Sequence, residues 1–243
     1  MTANEITKDD VRQVEELFAL GAHMGHKKNR LHPRARGYVY KIINGVSIID
    51  LTLTIKDLER AKQFLRAQGK EGKKLLVVAT KKGATQPITA FCKENSISYI
   101  TSKWLSGFLT NFTTLIKNVK KMNELKIEKE KGEWDKFVKH ERIALDKELY
   151  KMNKLYGGIA DMMKKPDVVF VVDIRKEKNT VKEAREEGIP IVALVDTNCD
   201  PREVSYPVVV NDDKSGVVEY VSKVLLQAYV DGRKEVKIEA KAA

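Results

Sequence analysis

Apolar residues recur at Val11, Val14, Leu17 and Phe18, the spacing of an amphipathic helix over residues 9–21, and Gly21 suits its end. Gly25 and Pro33 break regular structure before two short β-rich runs, 38–43 and 46–50, separated by Asn44 and Gly45. Asn-Gly is the favoured type I′ hairpin turn. Ile55, Leu58, Ala61 and Leu65 then mark one face of a helix over 54–68. Beyond it, strands and helices alternate: strand 75–79, helix 84–94, a strand ending at Ile100, strand 168–172, helix 181–187, strands 191–195 and 208–210, and helix 216–230. Continuously apolar strands separated by helices predict a parallel sheet covered on both faces. The expected fold class is α/β, doubly wound and flavodoxin-like.

Between the two sets of strands lies a long stretch of helix formers and charge without a strand signal. Its first half carries Phe112, Leu115, Val119, Met122 and Leu125, its second Val138, Leu145, Leu149, Met152 and Tyr156, both near the spacing of a coiled-coil seam. With Lys131-Gly132 as the turn, this reads as an inserted antiparallel helical hairpin. The expected organisation is an α/β domain of residues 1–105 and 158–230, the insertion 106–157, and a flexible tail 231–243 with few apolar residues.

The chain has 243 residues with 45 basic and 34 acidic side chains, a net +11 that favours an anionic partner. No run is apolar enough to span a bilayer, and the polar, partly acidic start is unlike a leader peptide, so a cytoplasmic protein with no membrane partner is expected. Cys92 and Cys199 stand far apart, without CxxC spacing, which argues against a disulfide framework or a cysteine zinc site.

Candidate chemistry is sparse. The loop after residues 75–79 reads TKKGATQP, which lacks the glycines of either nucleotide-binding signature, so no cofactor or small-molecule substrate is expected. DTNCDP, residues 196–201, holds two aspartates at the carboxyl end of a strand. They are magnesium-type ligands, but Asp, Asn and Pro are also turn makers, and that reading is preferred. His23, His26 and His32 have the residue type for zinc but no acidic neighbour in their segment, so no metal is expected. No catalytic residue is assigned.

Charge distribution is the strongest local signal. From Leu17 to Ile49 there are six cations, Lys27, Lys28, Arg30, Arg34, Arg36 and Lys41, and no acid. Such a segment can track a phosphate backbone, with Tyr38, Tyr40 and the histidines as planar groups for stacking. Lys70, Lys73, Lys74, Lys81 and Lys82 extend the patch. The hairpin differs, with twelve Lys or Arg against eight Asp or Glu between Phe112 and Tyr156, a mixture better suited to docking protein than to clamping RNA, and equally consistent with a solvated helical pair held by i to i+4 charge pairs.

The blocks GAHMGHKKNRLHPRARGYVY, VVATKKGA, KWLSGFLTNF, PDVVFVVD, GIPIVALVDTNCDP and NDD, in that order, resemble the small-subunit ribosomal protein two family of bacterial and organellar type over about residues 14–230. The resemblance implies an α/β domain with a helical-hairpin insertion, small-subunit ribosomal RNA as partner, no catalytic residue, and contacts with neighbouring ribosomal proteins including protein one of that subunit. Carried over by motif, the RNA contacts are Lys27, Lys28, Arg30, Arg34, Arg36, Lys81, Lys82, Lys103 and Asn111, with Trp104 and Thr110 in the same blocks. Trp104 and Phe108 are expected to be buried at the hairpin base. The chain departs from the family pattern at Leu31, His32, Lys103, Ser106 and Val209-Val210. Two other classes remain open: a small α/β enzyme acting on an anionic substrate, which needs a pocket with convergent polar groups, and a coiled-coil adaptor, which needs an exposed apolar stripe on the hairpin.

Overall fold

A computed structural model describes the backbone of residues 8–242 and the side chains of residues 11–236. Five parallel strands form the central sheet: β4 (Leu75–Val78), β5 (Ser98–Ile100), β6 (Val168–Val172), β7 (Ile191–Val195) and β8 (Tyr206–Val209), in the order β5-β4-β6-β7-β8. Counted from the first strand of this sheet the order is 2-1-3-4-5, the flavodoxin-like arrangement. Every residue of β4, β6 and β7 is buried, which is why these strands read as unbroken apolar runs.

Alternate strand residues serve two cores. Leu75, Val77, Phe170, Val192 and Leu194 face α1 (Lys8–Leu20), α2 (Leu51–Lys70), α3 (Lys82–Glu94) and α7 (Ser215–Ala242), while Leu76, Val78, Val169, Val171 and Ala193 face the opposite layer with α6 (Lys178–Glu186). α2 starts where the Asp50 carboxylate accepts from Thr52 N–H at 2.9 Å, an N-cap followed by the buried stripe Leu51, Ile55, Leu58, Ala61 and Leu65. α2 and α7 cross so closely that a Cβ on Gly69 would lie 2.3 Å from the Tyr229 carbonyl oxygen, and one on Gly232 2.1 Å from that of Arg66.

Between β5 and β6 stand α4 (Phe112–Glu130) and α5 (Lys139–Tyr156), antiparallel and tied by Lys121–Glu148 at 2.7 Å and Lys129–Asp146 at 2.5 Å. Phe112, Leu115, Val119, Met122 and Leu125 are buried as their spacing predicts. On α5 only Tyr156 is buried, whereas Ile143 and Tyr150 face solvent.

Two expectations are corrected. The irregular region around Gly25 contains a strand, β1 (Met24–Lys27), which with β2 (Val39–Ile43) and β3 (Val46–Ile49) makes a separate antiparallel sheet of order β1-β3-β2. Asn44 (φ 50°) and Gly45 (φ 77°) form its left-handed turn. The segment expected to be a flexible tail is helical, because α7 continues past Val230 to Ala242 and Glu235 pairs with Arg66 and with Lys70 at 2.5 Å. Residue 243, also placed in that tail, and residues 1–7 lie outside the described residues.

Candidate nucleic-acid interface

The acid-free segment is held against the carboxyl end of β7. Thr197 receives it twice, its hydroxyl accepting from His26 N–H at 2.9 Å and its carbonyl from His32 N–H at 2.8 Å, and Lys28 N–H donates to the Gly45 carbonyl at 2.8 Å. The approach needs a glycine: a Cβ on Gly25 would stand 2.7 Å from the Thr197 methyl. His32 caps the short 3-10 turn Pro33–Tyr38 by accepting from Arg34 N–H. With its backbone thus committed, the segment turns Lys27, Lys28, Arg30, Arg34, Arg36 and Lys41 into solvent, and among the described residues none of the six is in an ion pair.

Its aromatic groups are mostly occupied. His23 stacks on Phe18 at 4.1 Å, and burial and then Lys214 hold its pKa below the usual value. Tyr38 turns to Asp57, and burial followed by that carboxylate raises the phenol pKa. Tyr40 is the exposed one, at 76%.

A second group comes from the loop after β5. The buried Glu183 carboxylate of α6 accepts from Trp104 Nε1–H at 3.0 Å, Gly107 N–H at 2.8 Å and Leu109 N–H at 2.9 Å. Trp104 and Phe108 pack at 4.9 Å and are buried as expected. This clamp fixes the loop that carries Lys103, Thr110 and Asn111, all exposed. Because all five strands are parallel, this loop, Lys82 at the start of α3, and the segment on Thr197 lie at one edge of the sheet.

Lys81, expected with them, is instead turned inward. Its ammonium lies 2.8 Å from Asp212, 2.9 Å from Asp213 and 3.3 Å from Asp173. Burial opposes the charge on Lys81, but the hydrogen bond and charge of Asp212, with Asp213 and Asp173, outweigh it and raise its pKa. Burial, and then neighbouring Asp173, push the Asp212 carboxyl up to about 7 despite Lys81, since one ammonium cannot compensate several carboxylates at once. In sheets of this order small ligands enter between the carboxyl ends of the first and third strands. Here that crevice, between β4 and β6, is crossed by the Lys81–Asp173 pair.

The DTNCDP turn behaves as its composition suggests. Asp196 accepts from Thr197, and Asp200 accepts from Arg202 N–H at 3.0 Å to cap the turn Pro201–Glu203. His26, which has no acidic neighbour in its own segment, meets acids from distant parts of the chain. His26 Nδ1 lies 3.1 Å from Asp196 Oδ2 and Nε2 3.7 Å from Asp213, and the buried Asp196 Oδ2 has no well-aligned hydrogen-bond donor among the described residues. Donor atoms of His26, Asp196 and Asp213 fall within 4.8 Å of one another, so these residues have the types and spacing to share a cation. Their distance along the chain hides the grouping from the sequence. Both thiols are buried, which pushes Cys92 and Cys199 up to about 12, too high for a nucleophile at neutral pH.

The cations after β6 were also missed. Arg175, Lys178, Lys182 and Arg185 are exposed, but their stretch contains Glu177 and Glu183 and reads as an ordinary mixed-charge helix.

Comparison with known proteins finds one family over most of the chain. The family model described as ribosomal protein S2 matches residues 17–232. Three relatives named small ribosomal subunit protein uS2 align over most of their length. The one from Coprothermobacter proteolyticus is 39% identical over 220 residues, covering 90% of this chain and 82% of the relative. That from Dictyoglomus turgidum is 39% identical over 220 residues, covering 90% and 89%. That from a Roseiflexus species is 40% identical over 217 residues, covering 89% and 83%.

Proposed function

This chain belongs to the ribosomal protein S2 family, and on that premise we propose that it is a structural constituent of the small ribosomal subunit that binds ribosomal RNA through the segment seated on Thr197. It is a structural protein and not an enzyme. The observation that carries the RNA reading is the row of six exposed cations, without an ion pair among the described residues, on a backbone hydrogen-bonded at His26, Lys28 and His32. A rigidly held, one-signed surface suits phosphate contacts, which supply affinity without specifying sequence. Lys82, Lys103 and Asn111 at the same edge complete the contact set, and Lys81 supports the edge from within. The protein acts in the cytoplasm, within the ribosome.

The helical pair is proposed to dock neighbouring proteins of the subunit, protein one among them. Exposed Ile127, Ile143 and Tyr150 supply an apolar surface there.

The test is binding of the full chain to small-subunit ribosomal RNA across about 50 to 200 mM salt, the range in which phosphate contacts are most legible. Replacing Arg30, Arg34 and Arg36 by Ala is expected to lower affinity and to flatten the dependence of log affinity on log salt by about two to three, since each phosphate contact contributes about 0.7 to 0.9. The melting temperature should hardly move, because the three side chains are exposed. Unchanged affinity and slope would refute the assigned surface.

A further inference from the structure

The helix after β6 carries a charge pattern that only the fold exposes. From Arg175 to Arg185 the chain has five cations and two acids. Both acids point inward: Glu177 accepts from the Thr80 hydroxyl, and Glu183 is spent on Trp104, Gly107 and Leu109. Of the cations, Lys176 is engaged with the Thr80 carbonyl at 2.8 Å. Arg175, Lys178, Lys182 and Arg185 remain on the surface.

Lys178, Lys182 and Arg185 follow i, i+4, i+7 spacing, which aligns them in one stripe about 10 Å long. Lys178 and Arg185 form no ion pair among the described residues, and Lys182 has only a loose one, 3.8 Å from Glu186, with both side chains more than half exposed. The stripe borders a groove of about 680 Å³ that Glu186 of the same helix and Glu203 opposite also line, three cations against two acids. Glu203 belongs to the turn Pro201–Glu203, which packs against the turn Pro33–Tyr38 bearing Arg34 and Arg36. The turn Pro201–Glu203, in which Arg202 is paired with Asp200 at 3.5 Å, thus stands between the cations of the N-terminal segment and those of α6.

We propose that this α6 stripe is a second phosphate-binding surface, along which the RNA bound by the N-terminal segment continues over the α6 layer. The inference rests on the RNA reading above and adds a track that neither the sequence motifs nor the family blocks assign. Three cations in an open groove suit the repeated charge of a nucleic-acid backbone.

The experiment uses the full chain and small-subunit ribosomal RNA, comparing wild type with three triple variants: R30A/R34A/R36A, K178A/K182A/R185A, and K178R/K182R/R185K as the charge-conserving control. The α6 alanine variant is expected to lose about tenfold or more in affinity and to flatten the log–log salt dependence by about two, with the control close to wild type. Equal melting temperatures would establish that all variants are folded. If R30A/R34A/R36A shows the effect and K178A/K182A/R185A does not, the second track is refuted while the first stands. If wild type fails to bind RNA, or neither variant changes the salt slope, the underlying reading falls and this one with it. If the α6 alanine variant binds RNA normally yet fails to enter small-subunit particles, the stripe serves a protein partner and the proposal is overturned.

Discussion

Glu183 shows how one side chain changes meaning between the chain and the fold. In sequence it is one charge among many on a short helix; in three dimensions its two oxygens accept three N–H donors and fix the loop bearing Lys103 and Asn111. Glu183→Gln would place an amide NH2 where an acceptor is needed and leave a buried donor unsatisfied. A loss of about 1 to 3 kcal/mol is expected in denaturant unfolding. Asp212 poses a different question, one of protons. Its folded carboxyl lies near 7 against an ordinary value of 3.8, raised by burial and by Asp173. A raised carboxyl means that the folded state keeps a proton which the unfolded chain has released. The stability this group contributes is therefore complete below about pH 4 and is lost as pH rises through about 7. Thermal melts of Asp212→Asn should fall less steeply than those of wild type over that interval. Parallel curves would show that Asp212 is not the titrating group.

Among the elements, the α2–α7 crossing decides how the layer over the sheet is built. Ala is favoured over Gly in a helix by about 1 kcal/mol, so Gly232→Ala would stabilise an isolated α7. At the crossing its Cβ would meet the Arg66 carbonyl at 2.1 Å. The steric cost should win, giving a net destabilisation of about 1 to 3 kcal/mol in chemical denaturation; a stabilised variant would show that α7 moves away from α2 freely. The same contact explains why residues just beyond Val230 are helical although their composition suggests a tail. β1 has a similar origin. Gly25 disfavours a strand locally, yet β3 offers pairing partners and Thr197 leaves space only for a glycine. In α4 and α5 the periodicity is legible in sequence, but α4 spends its apolar stripe on the body and α5 keeps Ile143 and Tyr150 outside.

For the molecule as a whole, the sheet gathers cations at one edge, while the crevice where such folds hold small ligands is spanned by the Lys81–Asp173 ion pair. An exposed cationic edge of this kind suits the proposed contact with a polyanion. It also separates the two triple variants from the stability variants. Removing Arg30, Arg34 and Arg36, or Lys178, Lys182 and Arg185, should change salt-dependent RNA binding at constant stability, whereas Glu183→Gln and Gly232→Ala should act first on folding. Among the described residues no helix is long and apolar enough to cross a membrane.

The sequence by itself determined the strands of the parallel sheet, the Asn44-Gly45 turn, the helical stripe of α4 and the acid-free segment from Leu17 to Ile49. Each is encoded within a few consecutive residues, as burial on both faces, a left-handed turn pair, helical spacing, or charge of one sign. Its ordered motif blocks also carried the family resemblance. Tertiary structure alone decided which charges are available to a partner. Lys81 is neutralised by Asp173, Asp212 and Asp213, His26 is brought to Asp196, and the turning inward of Glu177 and Glu183 leaves Glu186 as the one exposed acid of α6 beside Lys178, Lys182 and Arg185. Electrostatic compensation depends on separation in space, and those partners are distant along the chain until the sheet brings them together.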